Sequence, residues 1–279
     1  MSFSASWLAL REPADHRARD RALAEKLAAH LASHPVQRVL DLGCGSGSNL
    51  RALAPVLGAC QEWTLVDYDP ALLAAARDAL HAWADTATTT TDTLILTKQG
   101  KEVAVHFRQA DLSQGLASLL ADTPHVVTAS ALFDLCSAAF IAQAAHEIAH
   151  SGAALYTVLT YDGVEHWEPP HPADDAVLSA FIAHQKTDKG FGISAGPDAP
   201  DALANNFRRE GYDVVEASTP WQLAASRDRA LMNELAKGIA AAARETGRCD
   251  PTLVEAWLAA RAQATHASIG HRDVLALPR

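Results

Sequence analysis

Cysteine is scarce in this chain, and so is each feature that would tie it to a membrane or to nucleic acid. Four cysteines in 279 residues (Cys44, Cys60, Cys136 and Cys249) stand far apart and form no CxxC pair. That excludes a disulfide scaffold and a zinc ribbon, and the four read as reduced thiols of a cytoplasmic protein. Apolar runs of bilayer length are missing too. The longest apolar tract, residues 126–145, carries Asp134 inside it beside Thr128, Ser130 and Ser137, and a spanning helix would not hold an unpaired carboxylate there. The first residues lack the basic start and apolar stretch of a signal peptide. Basic charge is in deficit, with 23 Lys and Arg against 33 Asp and Glu, a net charge of −10. A surface of that sign repels phosphate backbones, so nucleic acid is not expected as a partner, and neither is a membrane.

What the chain does have is material for a core: 49% apolar residues and only 20% charged ones. Its apolar pattern alternates short buried strands with amphipathic helices. A short arm with Trp7, Leu8 and Leu10 precedes a helix expected over 13–33. A strand over 36–42 ends in glycines, and a second, over 63–66, ends at Asp67. Asp69-Pro70 caps the next helix. The threonine run 86–93 reads as a polar connector. Beyond it, residues 94–96 and 103–107 flank a hairpin turn. A strand over 126–128, a helix over 138–150 and a strand over 154–159 follow. From 161 to 172 the chain turns rich in Trp, His, Glu and Pro, and 189–192 is a glycine-marked loop. A helix over 203–210, a strand over 212–217, two helices and a last strand over 274–277 complete the reading. Strict β and α alternation marks a parallel sheet covered on both faces. No repeat and no linker interrupts it, so 1–279 is expected as one domain. Within it, 1–34 would be an arm and helix, 35–160 a cofactor-binding core, and 161–279 the substrate side.

The sharpest motif is Asp41-Leu42-Gly43-Cys44-Gly45-Ser46-Gly47 at the end of the first strand, with Asp67 20 residues beyond Gly47. Glycines there let a ligand touch backbone, the next helix offers free N–H groups, and the distant acid suits a ribose. The spacing is GxGxG followed by Ser48 and Asn49 rather than GxGxxG. Asp41, just ahead of the loop, would oppose a pyrophosphate and suit a cationic ligand. A sulfonium-bearing nucleoside with an amino-acid tail meets both conditions.

In these segments the sequence resembles the Rossmann-like (class I) S-adenosylmethionine-dependent methyltransferases. VLDLGCGSG looks like that family's glycine motif, LVDYDP like the acidic end of its second strand, RQADL like the segment beside adenine, and HVVTASALFDL like its fourth-strand motif. The resemblance implies a doubly wound, seven-stranded, mostly parallel sheet with helices on both faces. It also implies an antiparallel last strand and a helical insertion before it. The implied cofactor is S-adenosyl-L-methionine, with Asp41, Gly43, Gly45, Gly47 and Asn49 at its methionine and ribose. Asp67 would take the ribose hydroxyls, Tyr68, Asp111 and Leu112 the adenine, and Ser130 the methionine end. The chain departs from the family pattern in starting its fourth strand with His125 and ending it without Asn-Pro-Pro-Tyr. That disfavours nucleic-acid bases and glutamine as acceptors and leaves a small metabolite.

Asp134 reads either as a general base facing the transferred methyl group or as a turn or cap residue. Trp7, Arg11, Phe133, Tyr161, His166 and Trp167 are candidate substrate contacts. Glu165, His166, Glu168 and His171 lack metal-ligand spacing, so no metal is expected. Trp221 and Trp257 read as packing residues. The expected reaction is methyl transfer to O, N or C of a small molecule. The rivals are an aminopropyl transferase-like use of the same nucleoside pocket and a non-catalytic cofactor-binding protein. Monomer and homodimer stay open.

Overall fold

Asp20 decides how the chain starts. In the computed structural model, which describes residues 3–279, Arg19 leaves helical geometry to end one helix, and the Asp20 carboxylate caps the next, accepting the Leu23 N–H at 2.8 Å. The helix expected over 13–33 is therefore two: α1 (Ala5–Ala18) and α2 (Arg21–Leu31). The expected arm with Trp7 belongs to α1, which Ser4 caps and which carries Pro13 inside it at the loss of one backbone hydrogen bond.

The alternation then runs as the pattern requires. Strand β1 (Gln37–Leu42), α3 (Ser48–Leu53), β2 (Cys60–Asp67) and α4 (Pro70–Trp83) come first. They are followed by β3 (Thr86–Thr89), β4 (Thr93–Lys98), β5 (Lys101–Gln109), α5 (Ala117–Leu120), β6 (Val126–Ser130) and α6 (Ala138–Ser151). The second half holds β7 (Ala154–Glu168), α7 (Asp174–Gln185), α8 (Ala199–Arg209), β8 (Asp213–Ser218) and β9 (Trp221–Ala224). Helices α9 (Ala225–Thr246) and α10 (Pro251–Arg261) and strand β10 (His266–Leu277) end it.

The strands form one sheet in the order β3-β4-β5-β2-β1-β6-β7-β10-β8, with β9 paired to β10. Seven of them, from β5 to the edge strand β8 in that order, are the expected mostly parallel set. Strand β10 runs antiparallel between β7 and β8, and β9, α9 and α10 form the insertion ahead of it. The sheet has ten strands rather than seven. The threonine run is a strand in part, because β-branched residues suit an exposed edge: β3 pairs antiparallel with β4, and β4 with β5. The third addition, β9, begins at Trp221. Strands β7 and β10 also outrun the apolar segments that announced them. From Tyr161 to Glu168 the burial pattern is two-sided, with Tyr161 and Trp167 inside and His166 and Glu168 outside. Composition made that stretch look like a loop.

Side chains of the central strands alternate between two cores. Val39, Trp63, Leu65, Val126, Tyr156 and Val158 point to the face covered by α2, α3, α4, α7 and α9. Leu40, Leu42, Val66, Val127, Ala129 and Leu155 point to the face covered by α5, α6 and α8. A buried carboxylate ties the second half together: Asp273 of β10 accepts from the Asp20 and Leu159 N–H groups and the Thr219 hydroxyl, at 2.8–3.0 Å.

Candidate functional site

All the strand-end motifs meet at one edge of the sheet, where the carboxyl ends of β1, β2, β5 and β6 open together. Gly43 and Gly45 hold φ of +61° and +53°, which brings the backbone round in two sharp steps. The Cys44 N–H donates to the Val66 carbonyl at 2.9 Å and locks the loop to β2. Asp67 faces it: one carboxylate oxygen accepts the Gly45 N–H at 2.9 Å and the other the Asp69 N–H at 3.0 Å. Each oxygen keeps a lone pair for a vicinal diol. Helix α1 lies across the loop. Leu8 sits where a side chain on Gly45 would come within 2.9 Å of its Cδ1. Glu12 pairs with Arg51 at 2.5 Å, and Arg51 in turn donates to the Ser46 carbonyl.

Between loop and helix lies a cleft of about 410 Å³, lined by Gly43, Gly45, Asn49, Asp67, Tyr68, Asp111, Leu112 and Ser130, among others. Tyr68 stands exposed on its rim, and Leu112 is buried in its wall. Asp111 caps a short 3-10 turn and accepts from the Ser113 N–H and hydroxyl, bonds that hold its carboxyl below the usual range. Two of the expected donor-binding residues stand off the cleft: Gly47, which faces Ala76, Arg51 and Leu80 at the start of α3, and Asp41. It is fully buried behind the loop, where Asn49 Nδ2 reaches it at 2.6 Å while Arg19 grips Asn49 Oδ1 at 2.7 Å. Burial pushes the Asp41 carboxyl up to about 7, against the pull of that hydrogen bond and of Arg19. It orients Asn49, and Asn49 faces the cleft.

A second cavity of about 400 Å³ adjoins the first, and the two share Phe3, Arg11, Ala131, Leu135 and Lys189 as walls. The partition is the turn after β6, where Ala131 is held at a φ of +51°. Ser130 faces the cleft and Asp134 the second cavity. Asp134 caps nothing, since α6 is capped by Ser137. Its carboxylate is buried and its Oδ1 has no hydrogen-bond partner among the described residues. Burial raises the group to about 6, with Arg11 pulling the other way. Arg11 is clamped by Asp15 at 2.8 Å and lies 5.0 Å over the Trp221 ring. Trp221, on the missed strand β9, is thereby part of a wall as well as of the core. Glu165 accepts the Tyr161 hydroxyl at 2.8 Å and the Trp167 indole N–H at 3.4 Å, and burial pushes it up to about 7.

Residues 39–95, from β1 through the glycine loop, β2 and α4 into β4, match the family model described as a methyltransferase domain. That segment carries the signature of a methyltransferase domain. Among solved structures it is similar to the YcgJ protein of Bacillus subtilis, at 13% identity with a TM-score of 0.51, over 93% of this chain and 99% of that one. It is also similar to a cyclopropane-fatty-acyl-phospholipid synthase-like protein of Lactobacillus casei, at 18% identity and 0.51, over 94% and 91%. A further likeness is to an S-adenosylmethionine-dependent methyltransferase of Geobacter sulfurreducens in complex with S-adenosyl-L-homocysteine, at 20% identity and 0.47, over the full length of both. No curated protein matches the sequence.

Trp7, Arg11, Asp134 and Tyr161 all line the second cavity. Phe133, His166 and Trp167 do not. Phe133 is fully buried in the core shared with α6 and α8. His166 projects from the outer side of β7 opposite Ser268. Trp167 packs edge-on against Trp257 at 6.0 Å and reaches the cavity only through Glu165. His271, Lys189 and Phe181 are lining residues that sequence reasoning did not name. His271 comes from a part of β10 that its apolar pattern did not announce, and Phe181 from a helix, α7, that was not foreseen. Glu165 enters the sequence reading as one of four acids and histidines set aside as metal ligands, not as a cavity residue. No helix among the described residues is long and apolar enough to cross a membrane.

Proposed function

We propose that this protein transfers a methyl group from S-adenosyl-L-methionine to a small molecule bound in the second cavity. The observation that carries the reading is the pair of adjoining cavities, the first built from glycine loop and strand-end carboxylates and the second from buried polar and aromatic side chains. The residues of the cleft fit the donor. Gly43 and Gly45 leave their backbone bare, Asp67 keeps acceptor capacity toward a diol, and the Ser46 hydroxyl lining the cleft has no partner among the described residues. Gly43, Gly45, Asn49 and Ser130 would hold the methionine side, Asp67 the ribose, and Tyr68, Asp111 and Leu112 the adenine.

The bound donor supplies an electrophilic methyl group on a sulfonium. The chain's own work is alignment and exclusion of water. Arg11, Ala131 and Leu135 stand where the two cavities meet, and with both ligands bound they would hold acceptor and donor next to each other. Asp134 and Glu165 can accept a proton from the acceptor, each with an acidity moved by burial toward neutral pH. An aminopropyl transfer fits less well: a polyamine brings several ammonium groups, and among the described residues the only acid lining the cavity besides Asp134 and Glu165 is Glu234, which is paired with Lys237. Titration calorimetry with S-adenosyl-L-homocysteine tests the donor site, and the reading predicts saturable one-to-one binding. Micromolar binding of NADH in its place would overturn it. A cytoplasmic enzyme acting on a metabolite accords with the acidic surface.

A further inference from the structure

We infer that the second cavity takes a primary or secondary amine carried on an aromatic or apolar body, held by Asp134 and Glu165 and relieved of a proton there. The inference rests on the methyl-transfer reading and gives its acceptor a chemical class.

Consider the charges that face the cavity. The Arg11 guanidinium is spent on Asp15, and Glu234 is spent on Lys237 at 2.7 Å. Lys189 has its ammonium 3.4 Å from His184 Nδ1, and His184 leans on Glu245 at 3.0 Å. Asp134 and Glu165 are different. Neither forms an ion pair among the described residues, and Asp134, only 7% exposed, has an oxygen with no hydrogen-bond partner. In the same cavity His271, 5% exposed and paired with Tyr161 on the neighbouring strand, also has an unpartnered Nδ1, and burial keeps its ring neutral, with a pKa lowered to about 3. With Arg11 engaged by Asp15 and Lys189 turned to His184, Asp134 Oδ1 and His271 Nδ1 are left without a hydrogen-bond donor among the described residues, and neither carboxylate has a cation beside it in an ion pair. An ammonium supplies both. An anion would leave the carboxylates unpaired and add a third negative charge.

The rest of the wall suits the body of such a molecule. Tyr161 and Phe181 meet edge to face at 5.8 Å, with Trp7 nearby in the same cavity. Aromatic faces attract a cation as well as an apolar frame. Burial already raises both carboxylates, so a cation arriving beside them relieves an existing strain on their charge.

The proton balance closes. The bound ammonium gives one proton to a carboxylate, which frees the nitrogen lone pair. The carbon–nitrogen bond to the transferred methyl then forms as its carbon–sulfur bond breaks, the electron pair leaving on sulfur. The product departs as a methylated ammonium, and the carboxylic acid returns its proton to solvent once the cavity empties.

Three isosteric probes decide the matter: phenethylamine, phenethyl alcohol and phenylacetate, titrated into the protein at neutral pH with and without saturating S-adenosyl-L-homocysteine. Phenethylamine should bind about 10-fold or more tightly than the alcohol, with phenylacetate weakest. Asp134→Asn and Glu165→Gln should each weaken the amine by about 10-fold and leave the alcohol unchanged. Two variants are used so that a folding defect in one cannot decide the result. Tightest binding by phenylacetate would show that Arg11 and Lys189 define an anion site and would overturn the inference. Equal affinities for the three probes, or no binding by any, would overturn it as well. Failure of S-adenosyl-L-homocysteine to bind is read in a separate titration and would remove the methyl-transfer reading itself.

Discussion

The two cavities are built in opposite ways. The donor cleft is made at strand ends, from short turns whose residues are neighbours in the chain, and its polar contacts are largely backbone amides such as those of Gly45 and Asp69. The second cavity, proposed to hold the acceptor, gathers Trp7, Asp134, Tyr161, Phe181, Trp221 and His271 from six separate elements, and its polar groups are buried side chains with pKa values moved far from their usual range. A ligand that all members of a fold share can be met by local backbone geometry. A ligand particular to one member must be met by side chains that only the finished fold brings together.

The largest expected effect would break the donor side alone. Gly45→Val places a branched side chain at a φ of +53° and against Leu8. It should cost S-adenosyl-L-homocysteine roughly 100-fold or more in affinity, while the acceptor cavity still takes its probes. Unchanged affinity by calorimetry would sink the assignment of the loop. The matching break on the acceptor side is Asp134→Asn. It should lower turnover by roughly 100-fold with donor affinity nearly constant. Turnover that barely moves would make Asp134 a spectator, and a collapse of melting temperature would make it a structural carboxylate.

A smaller effect sharpens the contrast. Asp67→Ala removes a side chain, yet the contacts it makes to the loop are to backbone. The loss should be roughly 1.5–3 kcal/mol of S-adenosyl-L-homocysteine affinity, the range for hydrogen bonds to a charged group. A loss confined to turnover would move Asp67 out of the ribose role. The smallest effect is thermal. The Asp134 carboxyl is raised from 3.8 to about 6 in the folded protein, so its ionisation opposes folding. That penalty is absent below pH 3.8, grows between 3.8 and 6, and is complete above 6. Asp134→Asn should therefore leave the melting temperature unchanged near pH 4 and raise it by about 3–6 °C at pH 8, read by calorimetry at both. A gain at pH 4 as large as at pH 8 would assign it to something other than charge.

The same contrast explains what could be read in advance. The central sheet was legible because strands buried on both faces spell near-continuous apolar runs, as in Val39-Leu40 and Val126-Val127. The cleft was legible because glycines and strand-end acids are local signs, although Asp41 turned out to stand one layer behind it. Beyond Thr160 legibility fell away. The outer stretch of β7, buried on one side only, mixes Tyr, Trp, Glu and His and hides a strand inside a loop-like composition. Phe133 and Asp134 are adjacent, yet one points into core and the other into a cavity. That choice is made by a 3-10 turn no spacing rule announced. His271 and Trp221 needed β10 and β9 to be in place before their meaning appeared.

Strand β10 also sets the order in which the molecule can come into being. It pairs with β7, β8 and β9 at once, and it follows all three in the chain. A chain emerging from its amino end has the parallel set β5-β2-β1-β6 at hand before residue 154 appears, and with it most of the donor cleft. Strands β7 and β8 must meanwhile wait with unpaired edges, open to wrong partners, until residues 266–277 arrive and slot between them. His271 and Asp273 travel on that strand, so the acceptor cavity and the knot behind it close in the same late event. The general half of the molecule is assembled early and the particular half is assembled last.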